Sequence, residues 1–89
     1  MTFEMKVTAR FRKDYKIAKK RGLDLEKLDR VMTLLHQGDP LPLAYRDHVL
    51  TGDYVNTHEC HIAPDWLLIY MFRAPFLIFV RTGTHSDLF

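Results

Sequence analysis

Apolar and polar side chains alternate along Phe3-Glu4-Met5-Lys6-Val7-Thr8, which predicts a half-buried strand. The period then lengthens. Thr8 stands where it can cap a helix running to about Arg21, and Gly22 is placed to end that helix in the left-handed conformation. Phe11, Tyr15 and Ala18 recur at helical spacing and form its buried stripe. Asp24 is positioned to cap a second helix, in which Leu25, Leu28, Met32 and Leu35 share one face before Gly38 and Pro40 close it. The short connection predicts an antiparallel helical hairpin. After a linking stretch over 39–52, residues 54–62 read as a strand, Ala63-Pro64-Asp65 as a tight turn, and 66–72 and 76–81 as two further strands. The last two are apolar at consecutive positions, so they should be central and covered on both faces. The tail from Thr82 is too polar and glycine-broken to extend its strand far. The predicted order is β-α-α-β-β-β, an α+β fold with an N-terminal strand, a helical hairpin and then antiparallel strands.

Composition narrows the class without identifying it. The 89 residues are 47% hydrophobic and 27% charged, as expected for one globular domain spanning 1–89. No apolar run approaches the ~20 residues that a bilayer requires, and the first residues lack the basic-then-apolar pattern of a secretory signal. A lone Cys60 excludes an internal disulfide or a cysteine-rich zinc module. A soluble, cytoplasmic protein with no membrane partner is therefore expected. The net charge of +2 is unevenly spread: residues 1–30 hold ten Lys/Arg against five Asp/Glu (+5), and residues 31–89 hold three against six (−3). All five histidines lie in the second part, four of them, His48, His58, His61 and His85, beyond the predicted helices. A basic end and a histidine-rich end suggest attraction of a polyanion and chemistry on it.

Within the first predicted late strand, Tyr54, Asn56, His58 and Cys60 point to one face and Val55, Thr57, Glu59 and His61 to the other. Cys60 suits the helix-packed core, so His61 should face away from the helices and diverge from His58. That divergence speaks against a His-x-x-His metal site, since zinc needs convergent ligands. The turn at Pro64 brings Asp65 near His61. Arg81 and His85 reach the same sheet face if the last strand lies beside the middle one, and His48 arrives from the linking stretch. Imidazoles titrate near neutral pH and can exchange protons, while arginine can hold a phosphate and stabilise charge building on it. No glycine-rich phosphate loop, nucleophile elbow or magnesium-binding carboxylate cluster is visible. The set favours acid–base chemistry on a phosphodiester without metal or cofactor. Each residue also has an ordinary structural reading: Asp65 can stabilise a turn, Trp66 opens an apolar strand where packing is usual, and Arg81 can pair with Glu59 or Asp65.

Three ordered motifs, Asp47-His48-Val49-Leu50-Thr51-Gly52, the run from Glu59-Cys60-His61 through Pro64-Asp65-Trp66 to Tyr70, and Arg81-Thr82-Gly83-Thr84-His85-Ser86-Asp87-Leu88-Phe89, make the chain resemble the RelE superfamily of bacterial toxins, most closely its YafQ-like branch. The resemblance implies a RelE-like fold and a ribosome-dependent endonuclease that cuts mRNA in the ribosomal A site and is held inactive by an antitoxin. Carried over by position, it makes His48, His61, Asp65 and His85 the acid–base residues; the chemistry of a metal-free cut then assigns His85 as the acid and Asp65 with His61 or His48 as the base. The resemblance places Arg81 at the scissile phosphate, Phe89 stacked on a base, and Trp66 near the site, either on RNA or supporting Asp65. The basic helix, with Arg12, Lys13, Lys16, Lys19 and Lys20, would hold ribosomal RNA phosphates. The implied partners are the 70S ribosome, mRNA, an antitoxin and, through the toxin–antitoxin complex, operator DNA. His58 stands where relatives often carry arginine. The rival reading is a protein of this fold that binds antitoxin and operator DNA without cutting RNA.

Overall fold

A computed structural model describes residues 3–54 and 56–89; Val55, expected on the outer face of a strand, lies outside the described residues. The chain runs β1 (Glu4–Val7), α1 (Ala9–Lys20), α2 (Leu25–Gln37), a 3-10 turn at Leu43–Tyr45, β2 (His48–Val49), a second such turn at Gly52–Tyr54, β3 (His58–Ala63), β4 (Trp66–Arg73), β5 (Phe76–Gly83) and α3 (His85–Leu88). The local signals at the helix ends act as the sequence implies. The Thr8 hydroxyl accepts the Phe11 N–H at 2.9 Å, and Asp24 accepts the Glu26 N–H at 3.1 Å. Gly38 closes α2 at φ 81°, a conformation open to glycine at little cost.

Three local features depart from the sequence reading. The strand expected over 54–62 begins only at His58, because Gly52–Tyr54 coil into a turn and Asn56 adopts a left-handed φ of 67° that breaks the extended run. The linking stretch contributes the short β2. The polar tail closes into α3, where Thr84 and Asp87 form a reciprocal capping box.

The sheet order is β1-β5-β4-β3-β2, antiparallel except that β1 runs parallel to β5. β4 is therefore central, with β5 inside the β1 edge. Phe11, Ala18, Leu28, Val31 and Leu35 from the helices pack on Cys60, Ile62, Trp66, Leu68, Tyr70, Leu77 and Phe79 from the sheet. β1 stops opposite Phe79, which leaves the rest of the β5 edge without a strand partner. α1 covers it: the Thr8 hydroxyl donates to the Val80 carbonyl at 2.7 Å, and Asp14 accepts the Thr82 N–H at 3.2 Å. No helix among the described residues is long and apolar enough to cross a membrane.

Trp66 belongs to the core. It is 4% exposed, and its indole N–H donates to the Thr82 hydroxyl at 2.9 Å while that hydroxyl donates to the Leu67 carbonyl at 2.7 Å. Of the two readings of Trp66, contact with RNA or support of the site, the burial favours the supporting one, since the ring is inside the sheet-to-helix layer. Thr82→Val keeps the shape but strands the buried indole N–H. It should lower unfolding stability by about 1–3 kcal/mol, read as a shifted urea midpoint at constant slope; an unchanged midpoint would refute this account.

Candidate active site

The site forms on the face of the sheet turned away from the α1–α2 layer. Across the register, Glu59, Ile69 and Arg81 lie in one row, and His61, Leu67 and Gly83 in the next. Leu67, Ile69 and Leu88 form an apolar floor, with Leu50, Tyr54 and Val80 packed around it. His61 stands over this floor, on the face opposite Cys60. The His48 ring lies 6.4 Å from it on one side and the His85 ring 5.8 Å from it on the other, centroid to centroid. Three histidines from β2, β3 and α3 thus make one row.

Their environments differ. His48 donates its Nδ1–H to the Arg46 carbonyl at 2.8 Å and turns Nε2 towards the buried Glu59 carboxylate, 3.4 Å away. His61 has a buried Nδ1 with no hydrogen-bond partner among the described residues. Burial pushes its pKa down; Glu59 opposes the shift, and Arg46, His85 and His48 add to it. The neutral ring is therefore favoured, and a neutral imidazole can accept a proton. His85 is held by Asp65, whose Oδ1 accepts both the His85 backbone N–H at 3.0 Å and the ring Nδ1–H at 2.7 Å. Those two bonds hold the Asp65 carboxyl below the usual carboxylate range. The Asp65 carboxylate, expected to supply the base with His61 or His48, is hydrogen-bonded to His85, the expected acid.

α3 puts His85 in place, and α3 is held by its own cap, by Arg21 and by a close seat on β5. Asp87 accepts the Thr84 N–H at 2.9 Å while its own N–H donates to the Thr84 hydroxyl at 3.1 Å. Arg21, just past α1, grips the same carboxylate at 2.7 and 3.2 Å, which pushes the Asp87 carboxyl well below its ordinary pKa. A Cβ at position 83 would lie 2.9 Å from the Asp87 Cβ and Oδ2, so glycine is what lets the helix sit this close to β5. Phe89 follows, 64% exposed, edge-on to Tyr54 with centroids 5.5 Å apart.

Arg81 shares this face but is largely engaged. Its Nε and one terminal nitrogen donate to the two oxygens of buried Asp14 at 3.0 and 2.9 Å, and its side chain is only 14% exposed. Asp14 first, and then Tyr54, raises its pKa beyond the ordinary arginine value. Arg12, Lys13, Lys16, Lys19 and Lys20 lie exposed on α1, off the buried Phe11–Asp14–Ala18 stripe. His58 does not join the site: it stacks on Tyr70, with centroids 5.2 Å apart, on the opposite face. Among the described residues no group of three or more His, Cys, Asp or Glu side chains is disposed to hold a metal ion. Glu59, Arg46 and Asp14 were not identified from sequence. For Asp14 the available signal was an acid buried at the spacing of Phe11 and Ala18.

Comparison with known proteins agrees in sequence and in shape. The family described as "Bacterial toxin of type II toxin-antitoxin system, YafQ" matches residues 3–89. The mRNA interferase toxin YafQ of Escherichia coli strain K12 is 42% identical over 87 residues, covering 97% of this chain and 95% of that protein. A crystal structure of YafQ from E. coli BL21(DE3) superposes with a TM-score of 0.94 at 41% identity, covering 98% of each chain. A chain of the E. coli DinJ–YafQ toxin–antitoxin complex gives 0.93 at 41% identity, covering 100% of this chain and 99% of that one.

The electrostatics around His61 give a signed test by NMR titration of its ring protons. Its pKa should lie below the ordinary 6.5. Arg46→Gln removes a neighbouring cation and should move it up; Glu59→Gln removes a neighbouring anion and should move it further down. Shifts in the reverse directions would show that other charges govern this ring.

Proposed function

The chain belongs to the YafQ family of type II toxin–antitoxin toxins, and from that membership we propose that it cuts mRNA by acid–base attack of a 2′-hydroxyl on the adjacent phosphodiester, within the ribosomal A site. The observation that carries the chemistry is the pair of rings 5.8 Å apart, one with a pKa lowered by burial and one anchored by a carboxylate. His61 takes the 2′-hydroxyl proton as the oxygen attacks phosphorus. The bond from phosphorus to the 5′-oxygen breaks, and His85 delivers the Nε2 proton to that departing oxygen. Asp65 orients the acid through Nδ1, and Nε2 has no protein partner among the described residues. The products are a 2′,3′-cyclic phosphate and a 5′-hydroxyl end, with no metal or cofactor needed.

His48, backed by Glu59, flanks the phosphate on the far side of His61. Arg81 contributes positive charge near the phosphorane-like transition state through the donors that Asp14 leaves free. Phe89, exposed and braced by Tyr54, is shaped to stack on a base. The basic face of α1 carries the 70S ribosome contact through rRNA phosphates. The E. coli relative was crystallised with the antitoxin DinJ; a cognate antitoxin is proposed for this chain as well, with operator DNA bound through the complex.

In a translating extract, primer extension should find codon-phased cuts that need ribosomes, are absent on naked mRNA, and carry cyclic phosphate ends. His85→Ala should reduce them about a hundredfold or more. No cuts from folded, antitoxin-free protein would overturn the reading and leave a fold that binds antitoxin and operator DNA. Ends bearing 3′-hydroxyls would reject the 2′-hydroxyl as nucleophile.

A further inference from the structure

β2 pairs with β3 only at His58 and Glu59, so the edge of β3 from His61 onward has no strand beside it. A cleft of about 570 Å³ opens along that edge, between α2 and the turn at Leu43–Tyr45. Lys27 and Arg30 come from one face of α2, three residues apart. Tyr45 and Arg46 come from the turn, and His61 and Pro64 line the strand side. Three cations border this cleft, and no carboxylate among the described residues lines it. Lys27, Arg30 and Arg46 are exposed, and among the described residues none lies within salt-bridge distance of an acid. Arg46 is held in the left-handed region at φ 51°, an uncommon conformation for an arginine, and its carbonyl is the acceptor for His48. The same residue thus orients one site histidine and brings a cation to the cleft that His61 borders.

Unpaired cations around a cleft of this size call for an anion, and a half-buried tyrosine with proline beside it offers surface for a planar ring. His61 is shared between the cleft and the histidine row, so whatever occupies the cleft continues from the reacting phosphate. We propose that this cleft is a nucleotide subsite for single-stranded RNA: Arg46, Lys27 and Arg30 take the phosphate next to the scissile one, and Tyr45 packs on the attached base. The proposal rests on the reading of the site as a ribonuclease, and it adds residues that the histidine row does not contain. The cleft fixes where the strand lies, so that the 2′-hydroxyl meets His61 rather than sliding past it.

A fluorescein-labelled single-stranded RNA hexamer, 2′-O-methylated throughout so that it cannot be cut, reports binding by anisotropy over a series of salt concentrations. Arg73→Gln, at the exposed end of β4 and outside both the cleft and the histidine row, serves as the control that removes a cation yet leaves the cleft intact. It should bind like the unsubstituted chain. The triple variant Lys27→Gln, Arg30→Gln, Arg46→Gln should bind at least about tenfold more weakly, with a salt slope shallower by about 0.7 for each phosphate it no longer neutralises. Tyr45→Ala should weaken binding while leaving the salt slope unchanged. All three cations are exposed, so an unaltered thermal midpoint should confirm that the triple variant is folded. Equal binding by the triple variant, or no binding by the unsubstituted chain, overturns the subsite. Loss of ribosome association by the triple variant with oligonucleotide binding intact also overturns it, because the cleft would then hold rRNA. Because the binding assay needs no cleavage, a protein that binds as described but never cuts RNA would sink the catalytic reading and leave the subsite standing.

Discussion

The Asp14 carboxylate is the constraint on which the arrangement turns. It is buried on α1 and occupied by three donors: two from the Arg81 guanidinium and the backbone N–H of Thr82. A carboxylate removed from water is tolerated only when it is paired and hydrogen-bonded, and here both conditions are met by one stretch of β5. The consequence is geometric as much as energetic. α1 is pinned lengthwise against the part of the β5 edge that β1 does not reach, which turns its lysines to solvent and brings Arg21 to α3. Arg81 in turn is held on the sheet face beside Tyr54. The guanidinium is therefore first a part of the frame, and whatever it offers a phosphate comes from its remaining donors.

The histidine row depends on the frame at second hand. His61 belongs to a paired strand and is as fixed as the sheet. His85 belongs to a helix of four residues, too short to persist unaided. Its position is set by the reciprocal Thr84–Asp87 cap, by Arg21 from α1 and by Asp65 from the β3–β4 turn. The two rings of the proposed acid–base pair are thus held by unequal means: one by backbone pairing, the other by side chains drawn from three places in the chain. The inequality suits the proposed chemistry. The strand residue is desolvated and keeps the neutral form, while the helix residue stays at the surface with a carboxylate against it.

What the sequence revealed was governed by range. Thr8, Asp24, Gly22 and Gly38 act within a turn of their own helix, and each does what its residue type implies. The alternation that set Cys60 inward and His61 outward survives because a strand buried on one face keeps its register. Features requiring distant partners were hidden. Asp14 stands among cations on α1, and nothing local marks its partner, which lies 67 residues away. Asp65 was expected beside His61, its neighbour across a turn, yet it is bonded to His85, which the capping of α3 brings within reach. Trp66 had an RNA-contacting and a supporting reading through resemblance, and its place at the start of an apolar strand pointed to the core, where it lies. Asn56 shortened β3 through one left-handed residue that a hydrophobic pattern does not register.

The parallel pairing of β1 with β5 carries a consequence for how the molecule comes into being. Glu4 is matched with Phe76, so the first strand waits for β5 before it has a neighbour. Contacts this distant in sequence are slow to form because the intervening loop must be ordered first. During synthesis β1 leaves the ribosome long before its partner, and α1 leaves with its carboxylate uncompensated. The helical hairpin can gather early, but the frame cannot close until β5 has emerged. The groups of the candidate site therefore come together late, once β5 and α3 have joined the elements that frame them.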